Sequence, residues 1–219
     1  MFHLAPPWNK EPRNQPMRST MSRRLPIPAF LCATAMLSLA RAAVADPALV
    51  VKPMAEKRLK QLPEGPLYWR VENFPTLDQA QAAVGPTSLV TEAAGKVWLF
   101  TLGGKGGSTR GGSKVAEIGP VPEVKAPEYL LRINNASGPP GARTPVHTHP
   151  GSETFYVLTG QLSQKTPHGI AEVRAGHAMN GHGPGMAMEV SSSGDSDLNA
   201  LVMFVVDATR PFSSPAKFE

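Results

Sequence analysis

Residues 141–160 read GARTPVHTHPGSETFYVLTG, with two histidines one residue apart, a glutamate four positions on, and a glycine at either end. On a β-strand, where side chains alternate between faces, His147 and His149 project their imidazoles from the same side. Glu153 follows the Pro150-Gly151 turn at the start of a second strand. From there its carboxylate swings back to complete a three-point site of mixed nitrogen and oxygen donors. On that second strand Phe155 and Val157 share the face of Glu153, while Tyr156 and Leu158 take the other, so the strand reads as covered on both sides. Gly160 ends it.

Outward from this stretch the chain continues in short apolar or alternating runs. Strands are predicted at 146–149, 153–158, 161–165, 171–174, 186–191 and 198–207, with turn residues between them. Upstream, Pro139-Pro140-Gly141 breaks the chain, and 114–121 and 128–134 read as strands. Two more strands turned at Gly95 are expected within 88–102, and another at 67–74. Between these, Thr76-Leu77-Asp78-Gln79 offers a capping box for a short helix at 80–84, stopped by Gly85-Pro86. The glycine-rich 103–108 lacks the order of a phosphate-binding loop and is read as a flexible loop. Residues 46–66 mix charge and proline and are expected to form an exposed lead-in with one helical turn around 54–62. Many short strands, 23 prolines, 20 glycines and few aromatics favour an all-β barrel or jelly roll.

The fixed positions Gly141, His147, His149, Glu153 and Gly160 match the pattern G-x5-H-x-H-x3-E-x6-G, and here the chain resembles the cupin superfamily. The resemblance covers about residues 125–210. It implies a cupin double-stranded β-helix, a jelly-roll barrel, with His147, His149 and Glu153 pointing inward onto one divalent transition metal (Fe, Mn, Ni, Zn or Cu). The family's second motif, G-x5-P-x-G-x2-H-x3-N, is not met, since 176–185 reads GHAMNGHGPG. Aligning Pro184 with the motif's proline puts Glu189 where its histidine belongs. Glu189 is therefore the preferred fourth ligand, and His182 is the alternative. His177, Met179, His182, Met186 and Met188 also form a His/Met cluster suited to soft copper. Against that, Met186 and Met188 alternate with Ala187 and Glu189, so one pair must face the core, where methionine packs well. Arg143, just upstream of the histidines, is the candidate for a substrate carboxylate at the barrel mouth. Arg132, within a strand pattern, is read as structural, and His168 as an exposed turn residue.

The net charge of +5 does not signal a polyanionic partner. Residues 1–45 hold six of the 22 basic residues and one of the 17 acidic ones, which leaves sixteen of each in the remainder. No basic cluster is left there for nucleic acid. From Met21, a charged stretch, an apolar run and the small-residue segment ending Ala43-Val44-Ala45 form a secretory signal peptide, too short and proline-broken to span a bilayer. The expected organisation is thus a non-native extension at 1–20, a signal peptide at 21–45, a strand and helix extension at 46–124 that packs on the barrel, and a cupin domain at 125–219. The only cysteine, Cys32, falls in the leader, so the mature chain has no thiol chemistry. The expected location is periplasmic or secreted, with no membrane attachment after signal cleavage.

A cupin resemblance implies a fold more firmly than a reaction. Two functions are expected from it. One is a metal-dependent oxygenase or isomerase acting on a small oxygen-rich or aromatic acid. The other is a non-enzymatic ligand-binding, storage or sensing protein with a degraded second motif. In either case the partner is a small molecule, with a homodimer through strands in 67–102 as a further option.

Overall fold

The computed structural model describes residues 47–219, and the extension and signal peptide read from the sequence lie outside them. In chain order the strands are β1 (Val50–Leu59), β2 (Tyr68–Phe74), β3 (Ser88–Ala93), β4 (Lys96–Gly103), β5 (Ser113–Ile118), β6 (Tyr129–Gly138), β7 (His147–Thr148) and β8 (Gly151–Thr159). They continue as β9 (Gln161–Thr166), β10 (Gly169–Arg174), β11 (Ala178–Asn180), β12 (Glu189–Ser192), β13 (Leu198–Asp207) and β14 (Ser214–Pro215). One helix, α1 (Leu77–Ala82), lies between β2 and β3. Thr76 caps it by accepting a hydrogen bond from the Gln79 amide, as the capping box predicts.

The barrel has two faces. The first is a five-stranded sheet in the order β1-β6-β13-β8-β11, antiparallel at every pair. The second is the sheet β10-β9-β12, extended by the bridges Arg143↔Ser191 and His147↔Met188 to β7 and β14. Neighbours in space are far apart in sequence (β6 beside β13, β9 beside β12), which is jelly-roll topology. An apolar interior of Phe155, Val157, Leu162, Val190, Val202 and Phe204 fills the space between the faces.

A third sheet, β3-β4-β2-β5, lies against the outside of the first face. Trp69, Trp98 and Phe100 from this sheet meet Leu131, Ile133, Tyr156, Leu201, Met203 and Val205 of the barrel in one buried cluster. The first face is thus covered on both sides, which is why β13 reads LNALVMFVVD with hardly a polar residue. The strands expected at 67–102 pair within this sheet.

The lead-in departs from its reading. Residues 50–59 form no helical turn but a ten-residue strand along β6. The barrel therefore takes its edge strand from the segment assigned to the extension. β1 carries no apolar alternation because it is an edge strand with most of its side chains in solvent, so period-2 patterning has nothing to act on.

The glycines of the turn have separate reasons. Gly160 takes φ +73° at the tight turn between β8 and β9, a conformation that side chains disfavour. Gly151 lies so close to β13 that an added Cβ would fall 2.5 Å from the Val206 Cα, so the β8–β13 pairing requires glycine there.

Candidate metal centre and ligand cavity

A cavity of about 410 Å³ opens between the two faces. His147 reaches it from β7, His149 from the turn after β7 and Glu153 from β8. The walls are mostly apolar, with Leu49, Phe155, Val202, Phe204 and Phe212 among them. The three residues of the first motif therefore line a single apolar chamber.

Both imidazoles are fixed by backbone carbonyls. His147 Nδ1 lies 2.8 Å from the Pro145 oxygen, and His149 Nδ1 lies 2.6 Å from the Phe212 oxygen. With Nδ1 as donor, each ring keeps Nε2 as its bare lone pair, the tautomer a metal ligand needs. The rings sit edge to face, 4.9 Å apart, and His149 packs between Phe204 and Phe212. Burial in this aromatic setting pushes the His149 pKa down to about 4, against the opposing effect of the Phe212 carbonyl, so the ring is neutral at physiological pH.

Glu153 is almost fully buried, and its carboxyl accepts a hydrogen bond from Gln164 Nε2. Burial raises its pKa to about 8, with the Gln164 bond acting in the opposite direction. Gln164 also approaches the Met188 sulfur at 3.3 Å. Gly181 supports the group from behind, since a Cβ there would fall 2.9 Å from the Glu153 Cγ.

Two neutral imidazoles and a carboxylate suit a divalent transition metal in kind. Their placement is looser: among the described residues no three His, Cys, Asp or Glu side chains are gathered closely enough to hold an ion. Neither candidate for a fourth ligand lines the cavity. Met188, just before β12, and Val190 on it are both buried, which leaves Glu189 on the opposite face, 3.8 Å from Arg143. The alternation around Glu189 is real, but its phase is the reverse of the one expected. The core takes the methionine because burying a thioether costs far less than burying a charge. His182 contributes its backbone carbonyl to the Glu153 amide at 3.4 Å, and its ring does not line the cavity. Arg143 is also outside the cavity, an exposed residue paired with Glu189, so it does not stand at the mouth as a carboxylate clamp. Arg132 is structural, stacked 3.9 Å from the Phe212 ring centroid and paired with Glu56 at 2.6 Å. His168 and His177 are exposed.

Gln164, Asn134 and the C-terminal Phe212 shape the cavity without a sequence motif to mark them. For Gln164 the signal was its place beside Leu162 and Thr166 on the buried face of β9, where a polar side chain needs a partner. Nothing comparable flags Phe212, which lies in an irregular segment.

No family model matches the sequence, and no curated protein matches it. Solved structures do show likeness. A cupin-like protein from Thermotoga maritima is 17% identical with a TM-score of 0.36, over 40% of this chain and 65% of the other. The polyketide cyclase RemF from Streptomyces resistomycificus is 21% identical with a TM-score of 0.34, over 41% of this chain and 62% of that one. An uncharacterised protein with a double-stranded β-helix domain from Klebsiella pneumoniae is 21% identical with a TM-score of 0.34, over 40% of this chain and 75% of the other. For the first two, this chain covers just under two thirds of the relative's length. These are loose likenesses, and the assignment rests on the chain itself. The jelly-roll strand order, with residues 141–160 running from the edge of one face into the middle of the other, is that of a double-stranded β-helix, the fold that the resemblance in the sequence implied.

Proposed function

We propose that this protein is an exported cupin that binds a small, largely apolar molecule in the barrel cavity, with a divalent transition metal held at the polar end by His147, His149 and Glu153. The observation that carries this reading is the shared cavity: the three residues of the motif line one apolar chamber of about 410 Å³, a size typical of small-molecule sites. Export rests on the leader pattern in 21–45.

In this reading the protein's own groups do four things. The Pro145 and Phe212 carbonyls hold the two imidazoles in the tautomer that presents Nε2. Gln164 orients the Glu153 carboxyl. The aromatic wall of Phe204 and Phe212 excludes water, and the apolar lining accepts the body of the ligand. A bound metal would supply Lewis acidity or a redox centre at that end. The lining also narrows the expected ligand: it holds no lysine or arginine, and Arg132, which stacks on Phe212, is already engaged by Glu56, so an oxygen-rich acid finds little counter-charge there.

A specific observation favours the non-enzymatic reading as the second one. Gln164 occupies Glu153, and Met188 fills the inward position just before β12, so three protein ligands are available at most, with none from the second motif. The test is metal analysis of protein purified without an affinity tag, alongside His147→Ala and His149→Ala. Close to one metal per chain, lost in both variants, is the expected result, whereas less than about 0.2 per chain in the wild type would count against the metal. Ligand binding that survives metal loss would assign the protein to the second reading.

A further inference from the structure

Asn134 lies at the middle of β6, opposite Pro53 of β1 and Val202 of β13, and lines the same cavity. It is 2% exposed, and its Oδ1 has no hydrogen-bond partner in the protein. An amide oxygen left unpaired at this depth costs about 1–3 kcal/mol, and a folded protein tolerates few such groups without a reason. The neighbouring inward side chains Ala136, Val202 and Phe204 have no polar atoms to offer it. A group bound in the cavity is placed to meet Asn134.

We infer that Asn134 is a ligand-positioning residue, and that the molecule bound in the cavity is neutral, with an apolar body and a hydroxyl or amino group that donates to the Asn134 side chain. The inference rests on the small-molecule reading above but not on its metal. Neutrality follows from the charges at the site: no lysine or arginine lines the cavity, and Arg132, which stacks on Phe212 and acts on His149, is already paired with Glu56. Its one carboxyl, Glu153, is already engaged with Gln164, so it does not offer an amine cation a free partner. An apolar body follows from walls of Leu49, Val51, Phe155, Val190, Val202 and Phe204. The polar donor follows from Asn134 alone. Such a site would discriminate strongly, because an analogue without the donor leaves the buried amide oxygen without a partner.

The test compares 2-naphthol with 2-methylnaphthalene, which has a similar shape but lacks the hydroxyl, by equilibrium dialysis against chelator-treated protein. Removing metal keeps this outcome separate from the fate of the metal proposal. The wild type is expected to bind 2-naphthol at least about tenfold more tightly, and Asn134→Leu to reduce that preference to about twofold or less while retaining 2-methylnaphthalene. Asn134→Thr, smaller and still polar, replaces the leucine variant if that one does not fold, and is expected to keep part of the preference. Equal binding of the two probes by the wild type, binding of neither, or an undiminished preference in Asn134→Leu would each overturn the inference.

Discussion

Gln164 holds the one carboxyl in the cavity, so its removal has a cost that can be anticipated. Gln164→Leu leaves Glu153 buried without its donor, and urea unfolding is expected to show a loss of about 1–3 kcal/mol. A loss below about 0.5 kcal/mol would mean that the carboxyl has another partner. Glu189 gives the opposite expectation. Its ion pair with Arg143 is long and partly exposed, and such pairs are worth about 1 kcal/mol or less. Glu189→Ala should therefore leave both stability and metal content within error of the wild type, and a lost metal would return Glu189 to the ligand set. At this scale the histidine pair and Glu153 were legible because strand alternation fixes which side chains share a face. The phase of β12 was not, since an alternating Met-Ala-Met-Glu-Val run is satisfied equally by either face until the core volume is known. Asn134 was not legible either: an unpaired amide is a property of its neighbours in space.

The loop between β4 and β5 shows how an element is held in place. Glu72 on β2 is fully buried, and it accepts hydrogen bonds from the Thr109 amide at 2.8 Å, the Thr109 hydroxyl at 2.6 Å and Arg70 at 3.0 Å. The glycine-rich segment expected to be a free loop is thus pinned near its far end. Burial alone would raise the Glu72 pKa, but the bonds from Thr109 and Arg70 outweigh it and the pKa lies below its ordinary 4.5. A depressed carboxylate contributes stability that is complete above its unfolded pKa and is lost as the pH falls through the folded one. The melting temperature of the wild type is accordingly expected to drop on acidification from about pH 5 downward, and that of Glu72→Gln to drop less. Equal pH slopes for the two proteins would remove Glu72 from the account. Among the elements themselves, the strands from β6 onward were legible because each buries at least one face. β1 was missed because a solvent-facing edge strand shows its identity only through pairing with β6.

Across the whole of residues 47–219, the outer sheet and the barrel share a buried cluster rather than a thin seam. Trp98 is 1% exposed, stacks near Phe100 and reaches Tyr156 of the barrel with ring centroids 5.9 Å apart. Trp98→Ala should cost about 3–5 kcal/mol. Urea unfolding of the wild type should give one transition when followed by tryptophan fluorescence and by far-ultraviolet circular dichroism. Two separated transitions would mean that the outer sheet folds on its own and merely leans on the barrel. The expected division near residue 125 separates an extension from the barrel it packs on, and the buried cluster runs across it. The core ignores that boundary, because β1 comes from one side of it and the outer sheet packs across it.

The position of β14 bears on the order in which the protein is made. Phe212, Ser213 and Pro215 wall the cavity, the Phe212 carbonyl fixes His149, and β14 pairs with the strand that carries His147. Phe212 follows His149 in the chain by 63 residues. A chain emerging vectorially thus carries both histidines before the residues that complete one side of their chamber, and that wall closes only once residues 212–215 have followed. The geometry of His149 is thus set by a long-range contact, and not by the strand turn that carries the histidine pair.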